Sequence, residues 1–429
     1  MELGVGAVPR APLRLGACAA VAEVAVRALR PRGPELQPIA VKPEAYFNAA
    51  RVREARAYRR GGLALGLVGT GLEAGLLAAL ARRPPRPLVG LGQQRPVAGG
   101  AVAGAALALG LTAAGLPLDA VGHARARRVG LATQGWRGWL ADVGRGAAIS
   151  APLAAGGGAL AVWTLRRWPR RWWLPAAGAT VTAGTVAVLA GPVLLDPVFN
   201  RFTPLPAGPL RSEVLALGGR AGVALGSVLT VDASRRTTGV NAYVTGLGPT
   251  KRVVLYDTLL ERFSRQEVRL VVAHELAHVR HRDVGRGLSF ITLISPMAML
   301  AVQGLLESRI RGPGERPDPP SAPGPDVLPA LVLAIGLVSA VISPAGNRLS
   351  RALERRADRF ALDLVRTPDA FVGLERRLVE ENLADPAPAR WLTALLATHP
   401  PGVERIGAAL AWARAQPPAD SPPAFALAA

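Results

Sequence analysis

Long apolar stretches dominate the pattern of this chain, and most polar residues collect between them. About seven stretches have close to 20 mostly apolar residues, the length of a helix that crosses a lipid bilayer. They lie at 11 to 30, 61 to 82, 98 to 122, 145 to 166, 173 to 196, 284 to 306 and 327 to 347. The pattern therefore predicts a mainly α-helical, polytopic membrane protein with about seven transmembrane helices.

Two long segments between and after the spans divide the chain into four parts. Residues 1–196 contain the first five spans and their loops, and residues 284–347 contain the last two. Residues 197–283 and 348–429 are predicted to be soluble. Seven crossings place both soluble segments on the same side of the membrane, so that they can build one site together.

The first soluble segment is predicted to contain a small β-hairpin sheet and then a buried helix. Its β-branched runs Ser227 to Asp232, Val240 to Thr245 and Arg252 to Asp257 are typical of strands, and Gly246-Leu247-Gly248-Pro249 is typical of a turn. Ser264-Arg265-Gln266-Glu267 then has the form of a capping box, in which the Ser and Glu side chains bond free amides at a helix start. The apolar residues that follow predict a buried helix face.

Composition and charge exclude an ordinary acidic cytosolic enzyme. The 429 residues include 51 Lys+Arg and 30 Asp+Glu, for a formal net charge of +21, and the mean hydropathy is +0.26. The basic residues are spread along the chain without an aromatic-rich sheet or a recognition helix, so nucleic acid is not an expected partner and the lipid bilayer is. Only Lys42 and Lys251 are lysines, an arginine bias that suggests a high-G+C bacterial genome.

Orientation is predicted from the basic residues nearest the spans, which tend to stay in the cytoplasm. The short loops of the two faces carry nearly equal numbers of them and decide nothing. Five arginines directly follow the last span: Arg348, Arg351, Arg355, Arg356 and Arg359. They favour a multi-pass protein of the bacterial plasma membrane whose soluble segments face the cytoplasm.

The predicted buried helix carries the strongest chemical motif, His274-Glu275-Leu276-Ala277-His278. Imidazoles four residues apart lie on one face of a helix, which is typical of a pair of zinc ligands with a glutamate beside them. A third protein ligand would leave a coordination position for water, whose pKa zinc lowers, and Glu275 can accept that water's proton. The alternative is two solvated histidines on a surface helix, but the apolar neighbours leave little polar face.

The third ligand has to be a carboxylate or a histidine, because Cys18 is the only cysteine. Ser350 to Ala361 is predicted to be helical and places Glu354 and Asp358 one turn apart. Glu354 can then bind the metal while Asp358 orients a ligand imidazole. The alternative is a solvated face on which these acids pair with neighbouring arginines, and the spacing by itself favours that alternative.

Taken together, these residues resemble the integral-membrane zinc metallopeptidases that include the CAAX prenyl endopeptidase and the heat-shock protease HtpX. The resemblance rests on His274 to His278, on the Glu354 to Asp358 segment after a span, and on Thr398-His399-Pro400-Pro401 with Arg405. It is closest to the CAAX prenyl endopeptidase branch. Further segments similar to that branch are Phe199 to Leu205, Asn241-Ala242-Tyr243, Lys251 to Leu260, and the loop Arg128 to Leu131 with Trp139 and Asp142.

The resemblance implies a gluzincin-type zinc endopeptidase that binds one Zn²⁺ per chain. It implies His274, His278 and Glu354 as zinc ligands, Glu275 as the catalytic base, and Asp358 as the residue that supports a ligand from behind. The implied chemistry is hydrolysis of peptide bonds in membrane-associated or unfolded proteins. The oligomeric state stays open.

The resemblance also implies roles for residues outside the zinc motif. Asn241 and Ala242 would lie on an edge strand that holds the substrate extended, and Arg405 would contribute to binding it. His399 would donate a hydrogen bond to the oxyanion formed on the peptide carbonyl. The alternative for His399 is a helix-capping histidine before a helix at 402 to 414. Asp283 can bond a ligand imidazole or end the zinc helix, and the second interpretation is favoured.

Two other classes of membrane protein are less consistent with the sequence. A metalloprotease-like sensor would be expected to carry an extracellular ligand-binding domain, and none is recognised. A transporter would be expected to have broken helices with paired charges inside the membrane, whereas the densest polar cluster here lies in the soluble segments.

Overall fold

The computed structural model describes residues 10–33, 35–246, 251–310 and 323–416. Helices make up most of this part of the chain. They are α1 (Arg10–Leu29), α2 (Ala49–Arg82), α3 (Arg86–Gln94), α4 (Pro96–Arg128), α5 (Trp136–Arg167), α6 (Trp173–Leu194), α7 (Asp196–Phe199), α8 (Pro209–Arg220), α9 (Asp257–Arg262), α10 (Arg265–Arg280), α11 (Asp283–Ile310), α12 (Leu328–Val365), α13 (Pro368–Glu381), α14 (Arg390–Leu396) and α15 (Gly402–Ala415).

The predicted polytopic helical fold is confirmed. Among the described residues, six helices are long and apolar enough to cross a membrane, namely α2, α4, α5, α6, α11 and α12, and they correspond to the second to seventh predicted spans to within two residues at the ends of α6 and α12. The first predicted span forms α1, which packs against α11 and α12. Its charged residues keep it out of that set of six, and one of them, Arg14, is paired with Glu307 of α11 at 3.3 Å.

A four-stranded sheet lies between α6 and α10 in sequence. Its strands are β1 (Phe202–Pro204), β2 (Ser227–Val231), β3 (Ala242–Thr245) and β4 (Arg252–Tyr256), in the order β1-β2-β4-β3. The predicted pair β3–β4 is antiparallel, and β2 runs parallel to β4. Residues 247–250 of the predicted turn lie outside the described residues. The sequence did not predict β1, because three residues are too few to show an alternating pattern.

The predicted capping box begins α10. The Ser264 hydroxyl accepts from the Glu267 amide at 3.3 Å, and the Glu267 carboxylate accepts from the Ser264 amide at 2.7 Å. One face of α10 then packs into the core formed with the sheet, α8 and α13, and its buried residues are Glu267, Val268, Leu270, Val272, Ala273, Leu276 and Ala277. This burial fixes the direction in which the remaining polar face of α10 points.

The last span and the predicted third-ligand segment form one uninterrupted helix. Helix α12 has 38 residues, of which the first part is apolar and the last part carries Glu354 and Asp358. It packs against α10. The two acids therefore reach α10 directly from the membrane span, without an intervening loop.

The loop between α4 and α5 is tied to the segment that leads into β3. Asp142 of α5 accepts two hydrogen bonds from Arg236, at 2.7 and 3.1 Å, and the Thr238 amide donates to the Leu131 carbonyl at 3.0 Å. The membrane helices thus hold the start of the edge strand in place.

Candidate metal centre and active site

Three side chains meet at one point between α10 and α12. Nε2 of His274 lies 3.1 Å from Oε2 of Glu354 and 3.3 Å from Nε2 of His278, and one ligand atom from each residue can be chosen so that all three lie within 4.8 Å of one another. His274 and Glu354 are nearly buried, with 12% and 9% of their side chains exposed. The sequence motif and the predicted carboxylate are therefore brought together as one donor set.

The second ring nitrogen of His274 faces a carboxylate. Its Nδ1 lies 2.9 Å from Oδ1 of Asp358, within hydrogen-bonding distance although off the line of the N–H bond. When Nδ1 carries the proton, Nε2 has a free lone pair, and this lone pair faces His278 and Glu354. Asp358 therefore selects the tautomer that a metal ligand requires.

The second ring nitrogen of His278 has the same kind of partner. Its Nδ1 lies 3.0 Å from Oδ2 of Asp283, the first residue of α11. Regarding Asp283 only as a helix end was therefore wrong, since it both begins a helix and contacts a candidate ligand. Its position five residues after His278 gave no periodic signal, because it lies beyond the end of α10.

Asp358 and Asp283 both accept hydrogen bonds from arginines. Arg405 donates to Asp358 through Nε at 2.8 Å and through Nη2 at 2.5 Å. Arg356 and Arg286 both donate to Oδ1 of Asp283. Each imidazole is thus followed by a carboxylate and then by a guanidinium, an arrangement that restricts the rotation of both rings.

The surroundings of His274 favour a positive charge at the imidazole. Burial opposes protonation, but hydrogen bonds and charges from Asp358 and Glu354 outweigh it and raise the pKa of His274 to about 10. Two imidazole nitrogens and one carboxylate oxygen are donors that Zn²⁺ accepts, and a set of three leaves a position open. The residues present therefore fit a catalytic zinc ion in both donor type and electrostatics.

Glu275 occupies the wall of the same centre. It follows His274 on α10, and its burial raises the pKa of the carboxyl group, with the neighbouring His274 and His278 acting in the opposite direction. No hydrogen bond from another described residue holds its carboxylate. A carboxylate that is free of protein partners is available to a water molecule.

His399 approaches the centre from the C-terminal segment. Its Nε2 lies 3.5 Å from Oε1 of Glu354, and Nδ1 lies 2.9 Å from the Thr398 hydroxyl. The capping alternative does not fit, because Pro401 is the N-cap residue of α15 and no side chain caps this helix.

The edge strand β3 runs beside the zinc helix and leaves one side open. The Tyr256 amide donates to the Asn241 carbonyl at 3.1 Å, so these residues form a hydrogen-bonded pair of the antiparallel ladder. Backbone groups in such a ladder alternate between facing the partner strand and facing away. The next residue, Ala242, therefore directs its own N–H and C=O away from β4, towards the side of β3 that pairs with no described strand, although the residue as a whole is only 3% exposed.

Arg405 lies in the wall of a large cleft and is engaged on both sides. Its side chain is 15% exposed, and besides Asp358 it contacts Glu375, with Nη1 lying 2.8 Å from Oε1. The cleft has a volume of about 1190 Å³, and Asn241, His399 and Arg405 all line it. Sequence reasoning missed Glu375, since a single acid on a charged helix carries no recognisable signal.

Comparison with known proteins agrees with this geometry. A model of peptidase family M48 matches residues 204–413, which include the sheet, the zinc helix and the C-terminal segment. The uncharacterized metalloprotease YhfN of Bacillus subtilis (strain 168) is 29% identical over 70% of this chain and 70% of its own length. The CAAX prenyl protease 1 homolog of Arabidopsis thaliana is 36% identical over 51% of each chain, and that of Oryza sativa subsp. japonica is 32% identical over 51% of each.

The chain thus spans about half the length of these two plant relatives. The crystal structure of S. mikatae Ste24p has the same fold, with a TM-score of 0.71 at 20% identity over 93% of this chain and 97% of that chain. The fold, the matched range and the names of the relatives agree with one another. Residues 204–413 thus match peptidase family M48, and the chain is similar to proteins named metalloprotease and CAAX prenyl protease 1 and shares the multi-pass fold of Ste24p.

Proposed function

We propose that the protein is a zinc-dependent endopeptidase that binds one Zn²⁺ through His274, His278 and Glu354. The carrying observation is that one ligand atom from each of these residues lies within 4.8 Å of the other two. Both imidazoles also have a carboxylate at the nitrogen that faces away from the metal position. Zinc in this site would act as a Lewis acid on a peptide carbonyl and would make a water molecule more acidic.

Glu275 is the general base of this proposal. Its carboxylate accepts a proton from the water that attacks the peptide carbonyl, and it can return the proton to the leaving amine. Burial favours this exchange, because a raised pKa brings the carboxyl group closer to neutral pH.

His399 stabilises the negative charge that develops on the carbonyl oxygen. When the Thr398 hydroxyl donates to Nδ1, the ring proton sits on Nε2, the atom that faces Glu354. A donor placed in advance towards the developing charge lowers the barrier by about 3 kcal/mol. The exposed position of the ring, 62% of the side chain, leaves it accessible to a substrate in the cleft.

The substrate is held in extended form along β3. Ala242 offers an N–H and a C=O at an open edge, and an added peptide strand takes both. Asn241 precedes it on the cleft wall, where it can bond the same peptide. Recognition through backbone groups suits a range of sequences, which agrees with membrane-associated or unfolded proteins as substrates.

The active site faces the cytoplasm in this proposal, with the protein in a bacterial plasma membrane. The five arginines after the last span support this side. Some of them also have partners within the protein, such as Arg355 with Glu404 at 2.6 Å. Reporter fusions at the two faces test this orientation.

The proposal is tested with Glu275→Gln in purified protein. The wild type is expected to hold about one zinc per chain and to cleave an unfolded protein such as casein. The variant is expected to keep the zinc and lose cleavage, because glutamine cannot accept the proton. A wild type without stoichiometric zinc, or a fully active variant, would refute the zinc endopeptidase. A Glu380→Gln variant, which makes the same change on α13, is the control.

A further inference from the structure

Glu375 is a buried acid that none of the proposed catalytic steps uses. It lies on α13 with 2% of its surface exposed, among the apolar residues Phe371 and Leu374. Among the described residues its one ion pair is with Arg405, where Oε1 lies 2.8 Å from Nη1 without an aligned hydrogen bond. Burying a carboxylate is unfavourable unless its charge is compensated, so the burial of Glu375 requires an explanation.

Balancing the charge of Arg405 does not explain why Glu375 is buried. Asp358 already takes two hydrogen bonds from the same guanidinium. One carboxylate balances one guanidinium, and Glu375 adds a negative charge beyond that balance. Burial raises the pKa of Glu375 to about 7, with Arg405 opposing the rise and Asp358 adding to it, so in the metal-free site this added charge is readily neutralised by a proton.

The contacts form a line from α13 to the candidate metal ligands. Glu375 on α13 contacts Arg405 on α15. Arg405 donates hydrogen bonds to Asp358 on α12, and Asp358 faces Nδ1 of His274 on α10. The guanidinium is planar, so holding Nη1 on one side fixes where Nε and Nη2 point on the other. Phe371 of α13 adds a ring 5.8 Å from the same guanidinium.

We propose that Glu375 is a positioning residue of the catalytic centre, which holds Arg405 against Asp358 and thereby fixes the imidazole of His274. This inference rests on the proposed function. The excess negative charge suits a site that takes a divalent cation, because the cation supplies the missing positive charge. Glu375 touches neither substrate nor metal, and its effect passes through Arg405 and Asp358.

Two competing roles make different predictions. Glu375 also lines the cleft, so a role in binding a basic substrate residue would change KM and leave zinc retention unchanged. A purely structural role would lower the melting temperature and leave the turnover of the folded fraction unchanged. Positioning predicts a lower kcat and weaker zinc retention, with KM unchanged.

The experiment compares Glu375→Gln with wild type and with Glu380→Gln, which lies on the same helix. In Glu375→Gln we expect kcat to fall about tenfold with KM within twofold, and zinc to pass to a chelator at about tenfold lower chelator concentration, the lower end for partners of metal ligands. The metal-free variant is expected to melt no lower than metal-free wild type, because it lacks the uncompensated charge. The Glu380→Gln control is expected to match wild type.

Each other outcome refutes positioning. Each of three results would give Glu375 a role other than positioning: unchanged kcat and zinc retention, a change in KM alone, or a lower melting temperature with normal turnover. If Glu375→Gln does not fold, Glu375→Met tests the same point with an apolar side chain, and failure of both variants to fold would make Glu375 a structural residue. Failure of the proposed function is separate, because it appears in wild type and Glu275→Gln whatever Glu375 does.

Discussion

Nδ1 of His274 lies 2.9 Å from Oδ1 of Asp358 although two membrane-spanning helices separate the residues in sequence. Helix α11 leaves the catalytic side after the zinc helix, and α12 returns with Asp358 near its end. The contact therefore exists only when both helices are in place. The tautomer of a candidate metal ligand depends in this way on the packing of the membrane part.

Replacing Asp358 by asparagine is expected to weaken zinc binding. The asparagine amide keeps the size of the side chain. It loses the negative charge that favours a proton on Nδ1 of His274 and that attracts Arg405. Removing a residue that hydrogen-bonds a metal ligand typically lowers metal affinity by about 10- to 100-fold. Zinc content measured during titration with a chelator checks this, with the exposed Asp369→Asn as control. Unchanged retention in Asp358→Asn would contradict the assigned role.

Replacing His399 by alanine is expected to lower kcat by about 100-fold, because the donor to the developing oxyanion is lost. Zinc content and melting temperature should stay near wild type, since the side chain caps no helix and is mostly exposed. Steady-state kinetics with metal analysis on the same sample provides the measurement. Normal turnover with a lower melting temperature would show that His399 is structural.

Ala242→Pro is expected to reduce cleavage while zinc content is maintained. Proline removes the N–H that Ala242 directs to the open edge, and the β3–β4 ladder does not use that group. A substrate that adds as a strand loses one backbone hydrogen bond, typically about 1 kcal/mol or a several-fold rise in KM. Unchanged KM would mean that the substrate is held elsewhere.

Asp142→Asn is expected to raise KM, because it loosens the segment that leads into β3. Asp142 accepts two hydrogen bonds from Arg236, and bonds of this charged kind contribute about 1.5–3 kcal/mol. A rise of about tenfold in KM with intact zinc is the expected result. Loss of zinc in this variant would instead show that the loop supports the metal centre directly.

Membrane topology is expected to place residues 311–322 and the C-terminus on opposite sides. Among the described residues between these positions, the span within α12 is the one candidate crossing. A reporter inserted near Gly314 should report the outer side, and a reporter fused after Ala429 should report the cytoplasm. Signals from the same side would remove this crossing, and an outer signal at the C-terminus would reverse the proposed orientation.

Much of the architecture could be read from the chain, because the relevant interactions are local. A stretch of about 20 apolar residues specifies a spanning helix by its own length, and α10 begins at a capping box that its first residues form among themselves. The spacing of His274 and His278 likewise guarantees that both rings share one helix face. These features need no partner elsewhere in the chain.

The third candidate ligand shows where local reasoning ends. Pairing with neighbouring arginines at helical spacing was the favoured alternative for Glu354. In the structure Arg355 pairs with Glu404, and Arg351 donates to the carbonyls of Thr393 and Ala397. Glu354 is left to His274, because helices distant in sequence supply the arginines with other acceptors.

The sequence by itself determined the candidate membrane spans, the start of α10 and the shared helix face of His274 and His278, since each follows from residues a few positions apart. Only the tertiary structure decided that Glu354 lies beside His274, that Asp283 contacts His278, and that Glu375 contacts Arg405. These relationships depend on distances between separate helices and strands, and such distances are set by packing of the whole chain.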